Sequence, residues 1–235
     1  MPTLVDIYSE SNADSGEGSL QFGGTLKLGQ SFVGNGRTLD SAKFYIRKAG
    51  SPPGNVVVEI FAHSGTFGSS SVGTGSPLAT SDAIVATTLP SSLSLVEFTF
   101  SGANRITLEN GTHYVVTISY SDAGSSGSNN IRVVWDESSP THAGNFIYYS
   151  EGTSWGANSG RDLPFYVYID STLSTTISEV VEVADSLSRS IVRSVLETVE
   201  SAILIIGTAL VSIPNSPIIG AVRDYIKKIG RIRDL

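Results

Sequence analysis

The stretch Leu39–His63, LDSAKFYIRKAGSPPGNVVVEIFAH, alternates apolar and polar residues in two runs. An alternation of period 2 places every second side chain on the same side of an extended strand, so it commits this part of the chain to a sheet with one buried face. Ala42, Phe44 and Ile46 share one face and Lys43, Tyr45 and Arg47 the other, and Val56, Val58 and Ile60 repeat the pattern in the second run. Between the runs, Gly50-Ser51-Pro52-Pro53-Gly54 cannot continue a strand, because proline lacks the N–H that the ladder requires. The expectation is a core hairpin of an antiparallel sandwich.

The same alternation recurs along the first 170 residues. Thr3–Tyr8 and Ser19–Leu28 read as strands, separated by a polar Ser/Gly/Asp-rich segment. Leu93–Phe100, Ile106–Leu108, His113–Tyr120, Ile131–Asp136, Asn145–Tyr149 and Pro164–Ile169 follow. His113–Tyr120 is apolar enough for a central strand. Glu109-Asn110-Gly111-Thr112 carries the strongest hairpin-turn signal in the chain. Residues 64–82 read as a long Gly/Ser/Thr loop holding one short strand at most, and 122–130 as a second polar loop. About ten strands without intervening helices indicate a mainly β fold, an antiparallel β-sandwich or jelly roll over residues 1–170.

At Asp170 the pattern changes. Residues 171–176 form a Ser/Thr linker, and Thr176-x-x-Glu179 fits a capping box that opens a helix. Ile177, Val180, Ala184, Leu187, Ile191, Val195, Val199, Ala202 and Ile206 then recur every three or four residues, close to a heptad with one stutter. A lone amphipathic helix cannot bury such a stripe, so these nine residues are the expected oligomerisation seam of a helical C-terminal assembly region, 177–235, as a coiled-coil homotrimer first. Residues 202–213 are apolar on all sides but number about 12, short of the roughly 20 a membrane span needs, so a buried helical centre is expected rather than an anchor.

Charge and composition exclude some functions. The net charge of −7 divides unevenly: residues 1–170 carry 8 Lys/Arg against 15 Asp/Glu, and 171–235 carry 7 against 7. That balance argues against a nucleic-acid-binding surface. Without cysteine there is neither a disulfide nor a thiolate metal site. The N-terminal residues lack the basic and apolar regions of a signal peptide.

No catalytic constellation is legible. His63, His113 and His142 show no ligand spacing and read as strand-end or loop histidines, so no metal and no cofactor is expected. The GxSxG string Gly152-Thr153-Ser154-Trp155-Gly156 opens no helix and so is no nucleophile elbow, no Gly-rich stretch has the form of a phosphate loop, and nothing nominates a pair of carboxylates, so the chain is read as no enzyme. Among the aromatics, Trp135 falls within a strand and reads as core. Trp155 falls in the polar segment SEGTSWGANSG, just after Tyr148 and Tyr149. Two readings stand for Trp155: it caps one end of the core, or it joins Tyr148 and Tyr149 in a platform that stacks against sugar rings.

The stretches GQSFVGNGRTLDSAKFYIRKAGSPPGNVVVEIFAHSG, TGSPLATSD, ENGTHYVVTISY and SSPTHAGNFIYYSEGTSW together resemble a β-sandwich module of phage and prophage structural proteins, also described as a choice-of-anchor domain. The segment SLSRSIVRSVLETVE is similar to repeats of viral and archaeal surface proteins. The resemblance implies a virion structural protein assembled in the host cytoplasm: a capsid decoration, head-fibre or tail-associated protein. Its sandwich would be displayed outward and its C-terminal region would bind other virion proteins. The alternative it implies is a carbohydrate-binding adhesion module at a cell surface, with cell-surface glycans as partners.

Overall fold

The computed structural model describes residues 2–14, 16–152, 154–170, 187, 189–195 and 197–198. Contacts divide the chain into two units, Met1–Ser171 and Thr172–Leu235.

The first unit is mainly β, with 14 strands joined in one largely antiparallel sheet. In chain order they are β1 (Thr3–Tyr8), β2 (Gly16–Leu20), β3 (Thr25–Val33), β4 (Arg37–Ala49), β5 (Asn55–Ser64), β6 (Val72–Thr80) and β7 (Ile84–Val85). Then come β8 (Ser94–Thr99), β9 (Thr107–Leu108), β10 (His113–Ser119), β11 (Asn130–Trp135), β12 (Phe146–Ser150), β13 (Trp155–Asn158) and β14 (Phe165–Ile169). The sheet has two halves. In one, β4 is the hub, paired with β8 and β9, with β14 and, near its end, with β11, while β1 extends β14 and β2 extends β11. In the other the order is β13-β12-β3-β10-β5-β6. The parallel pair Leu20↔Thr25 links them, the one such pair among the described residues.

The halves face each other across one core. Phe44, Ile46, Phe98, Phe165 and Val167 from the first meet Phe32, Val58, Ile60, Val116 and Ile118 from the second, all at most 1% exposed. Rings from the two halves come together at Phe32 and Phe165, with centroids 6.5 Å apart. This is the sandwich-like arrangement that alternating strands require.

The expected hairpin at Leu39–His63 is not one. Both runs are strands, but β4 and β5 belong to opposite halves and do not pair with each other. Strands within a sheet lie about 4.8 Å apart, whereas packed layers are about 10 Å apart. The stiff Pro52-Pro53 segment, flanked by Gly50 (φ 63°) and Gly54 (φ 69°), carries the chain across the larger gap. Asn129 Oδ1 accepts the Ser51 N–H at 2.8 Å and Tyr120 donates its hydroxyl to the Pro53 carbonyl at 2.7 Å, fixing the crossing. The turn at 109–112 forms, with Thr112 N–H donating to the Glu109 carbonyl, but it too joins strands that do not pair.

Three further expectations are corrected. Ser19–Leu28 is broken by a turn at 21–24, where Gly23 has φ 75°. Residues 72–80, expected to hold no more than a short strand within a long loop, form the nine-residue β6, because the exposed edge strand tolerates its Gly, Ser and Pro. Trp155 begins a strand rather than sitting in a loop. The expectation for His113–Tyr120 agrees with the structure: β10 lies between β3 and β5 and is buried on both faces.

At the end of β14 the chain is clamped. Asp170 accepts from Arg105 at 2.7 Å, its carbonyl accepts from Arg37 at 3.1 Å, and its N–H donates to the Thr38 carbonyl at 2.9 Å.

Of the second unit, residues 189–195 are helical. Leu187, Ile191, Val192 and Val195 there are 57–64% exposed, and Arg193 pairs with Glu197 four residues on. Ile177, Val180, Ala184, Val199, Ala202 and Ile206 lie outside the described residues, as do the capping box and the 202–213 run. No helix among the described residues is long and apolar enough to cross a membrane.

Candidate functional site

Two aromatic neighbourhoods and one buried polar network distinguish the sandwich. The first neighbourhood is a cleft of about 310 Å³ where β2 parts from β3, walled on the other side by β12 and β13. Trp135, the last residue of β11, pairs in register with Gly16. Its indole lies flat on the glycines of β2: a Cβ on Gly16 would fall 2.1 Å from Nε1, and one on Gly18 2.7 Å from the ring. Arg161 covers the indole with its guanidinium 4.7 Å from the centroid, and Phe146 meets it edge-on at 5.3 Å. Glu137 joins the group, accepting from Trp135 Nε1 at 3.0 Å and pairing with Arg161 at 3.0 Å.

Across the cleft, Tyr148 lies over Gly156, where a Cβ would fall 2.2 Å from the ring, and remains 39% exposed. Polar side chains of Ser19, Thr25, Ser150 and Asn158 complete the lining. Flat rings beside hydroxyl, amide and guanidinium groups are suited to stacking and hydrogen bonding.

The second neighbourhood surrounds Trp155. Its ring contacts Phe61 edge-on at 5.0 Å and Tyr149 at 5.2 Å, over the fully buried Val115 and Ile147. Gly73 of β6 leaves room for it. Lys27 sits 5.4 Å from the Phe61 ring and is paired with Glu59, which also accepts from Ser119. This is a small second core on the side of the sheet facing away from the main one.

The expected platform is therefore split between these places. Tyr149 and Trp155 are opposite each other in register on one face of the β12–β13 pair, whereas Tyr148 pairs with Gly156 and, one residue along the strand, faces the other way. Trp135, read as core, packs against the main core but also lines the cleft. Its signal in the sequence was the Gly16-x-Gly18 spacing, which leaves a bare strip on a strand where an aromatic ring can lie.

The polar network ties β1, β3 and the 136–145 segment together. Gln30 donates from Nε2 to Asp162 at 2.6 Å and to His142 Nδ1 at 3.2 Å. Nδ1 also accepts the Gly144 N–H at 3.0 Å, which assigns the ring proton to Nε2, donating to Asp6 at 3.2 Å. Asp162 accepts the His142 N–H at 2.7 Å, and burial raises its pKa. Tyr8 donates to Asp136 at 2.5 Å; burial foremost, then this bond, pushes the Tyr8 hydroxyl up to about 12. Each group faces a protein partner, which makes the network a clamp on the segment between β11 and β12.

Two of the three histidines, none of which has ligand spacing in the sequence, come together in the fold. His63 and His113, neighbours on β5 and β10, have ring centroids 5.3 Å apart, and Phe67 stacks on His113 at 4.2 Å. Burial, then the nearby His113, lowers the His63 pKa. Among the described residues no cluster of three or more His, Asp or Glu is arranged to hold a metal. No protein-family model, curated protein or solved structure matches the chain.

Proposed function

We propose that the chain is a non-enzymatic structural protein of a virus particle, in which the sandwich is the displayed body and the C-terminal helical region associates with copies of itself and anchors to other virion proteins. The observation that carries this reading is the exposure of Leu187, Ile191, Val192 and Val195 on the described helix. Four large apolar side chains in little more than two turns are costly to leave in water. Leu187, Ile191 and Val195 recur at four-residue steps along one stripe, with an Arg193–Glu197 pair beside it, the arrangement expected of helices that pack together. The clamp on Asp170 supports the same division of labour, because it closes off the sandwich where the chain leaves it.

Light scattering on the full chain and on residues 1–170 tests the reading. A trimer for the full chain and a monomer for the fragment are expected. Two monomers would remove self-association from the function.

A further inference from the structure

We infer that the cleft between β2 and the β12–β13 pair is a binding site for a neutral saccharide, with Tyr148 as the stacking residue and Asn158 and Arg161 as its hydrogen-bonding partners. The inference is independent of how the chain assembles, since every residue it uses lies in the sandwich.

Three observations converge on it. The volume, about 310 Å³, is at the small end of what ligand pockets occupy, room for one or two sugar rings rather than a peptide or a nucleic acid. Tyr148 lies flat on Gly156, so one face of its ring is backed by the strand, and the residue keeps 39% of its surface exposed. A ring so held presents a rigid apolar plane at little entropic cost, which is what the C–H face of a pyranose packs against. Around that plane stand side chains that offer both donors and acceptors: the Asn158 amide, the Arg161 guanidinium and the hydroxyls of Ser19, Thr25 and Ser150. A polyhydroxylated ring needs both kinds.

The preference for a neutral ligand comes from Glu137. It pairs with Arg161 at 3.0 Å, so the one cation among the described residues that line the cleft already has its counter-charge. An anionic ligand would have to displace that carboxylate. The Trp155 neighbourhood does not compete for the role, because its indole is already taken up by Phe61 and Tyr149 and lies over buried Val115 and Ile147.

The chain has two tryptophans, only one of them in the cleft, which gives a direct readout. The full-length Trp155→Phe variant leaves Trp135 as sole reporter; titration with glucose, galactose, mannose, N-acetylglucosamine and their β1,4-linked disaccharides should change its emission saturably for at least one sugar. The converse variant, Trp135→Phe, should show no change in Trp155 emission with the same sugar. Isothermal titration should find affinity reduced about tenfold or more by Tyr148→Ala, and reduced by Asn158→Ala, with thermal melts of both variants close to that of the parent. Tyr148→Phe, which keeps the ring, should bind nearly as the parent does. Silence across the whole panel overturns the proposal. So does binding that survives both alanine variants, binding reported by Trp155 alone, or selective binding of glucuronate over every neutral sugar.

Discussion

The surroundings of Trp135 and Trp155 use the same parts to different ends. Each indole lies against glycines of a neighbouring strand, Gly16 and Gly18 for one and Gly73 for the other, and each has an aromatic neighbour edge-on. Around Trp155 the remaining contacts are Phe61, Val115, Ile147 and Tyr149, so the group closes on itself as a second core. Around Trp135 they are Arg161, Glu137 and a cleft with a polar lining. An aromatic ring on a sheet surface is therefore not a binding platform by virtue of exposure or sequence context. What decides is whether its neighbours can exclude water without help from a ligand.

That contrast is open to attack, first and most strongly at Phe61, 3% exposed beneath Trp155. Phe61→Ala should cost about 3 kcal/mol in chemical denaturation, because it empties the centre of the second core. A loss below about 1 kcal/mol would show that this cluster is no core at all. Gly16→Ala comes next. Its Cβ would fall 2.1 Å from Trp135 Nε1, so the indole must shift, at a cost of about 2 kcal/mol with a change in Trp135 emission. Unchanged emission in a Trp155→Phe background would refute the flat seating of the ring.

A smaller effect, visible only in acid, concerns the frame of the cleft. Asp14 accepts the Gly16 N–H first of all, and the N–H groups of Glu137 and Ser138, which hold its carboxyl at about 2. A carboxyl with a lowered folded pKa stabilises the fold above its unfolded value, near 3.8, and loses that contribution as the pH falls towards 2. Melting temperature should thus drop between pH 4 and 2, and Asp14→Asn should flatten the drop. An unaltered acid slope in that variant would move the effect to other carboxylates. At the other end of the scale, Tyr8, raised to about 12, stabilises the fold below pH 10 and loses that contribution as the pH rises to 12. Tyr8→Phe should make the alkaline limb shallower. The smallest effect belongs to Tyr148→Ala, about 0.5 kcal/mol or less in stability, since that ring is half exposed. A loss of several kcal/mol would make Tyr148 a structural residue like Trp155.

The sequence declared its strands better than their partners. Alternation in 39–63 located β4 and β5 within a few residues, because burial of one face is a local pattern. Pairing is not local: a five-residue link with two prolines and two glycines can close a hairpin or cross between layers, and only the apolar faces of both strands, competing for one core, decide. β6 escaped because an edge strand with burial pattern iBeeeeeBi has almost no apolar face to betray it. The cleft was half legible. Sequence context picks out Tyr148, but the strand pattern places Trp135 in the core and nothing local marks Arg161. A site assembled from five strands, β2, β3, β11, β12 and β13, leaves no spacing along the chain by which to find it.

One consequence of the clamp at Asp170 concerns mechanics. Any tension on the chain beyond Asp170 enters the sandwich along β14. That strand is hydrogen-bonded on one side to β1 and on the other to β4, both antiparallel, and its end is shackled by Arg105, which also grips Asp40 at 3.2 Å. A pull along the axis of a strand held on both edges loads all its ladder bonds at once, whereas a pull across an edge strand would open them singly. Resistance to such a pull is set by the rate of unfolding rather than by equilibrium stability. Under a load along that axis β14 would yield by sliding, not by peeling.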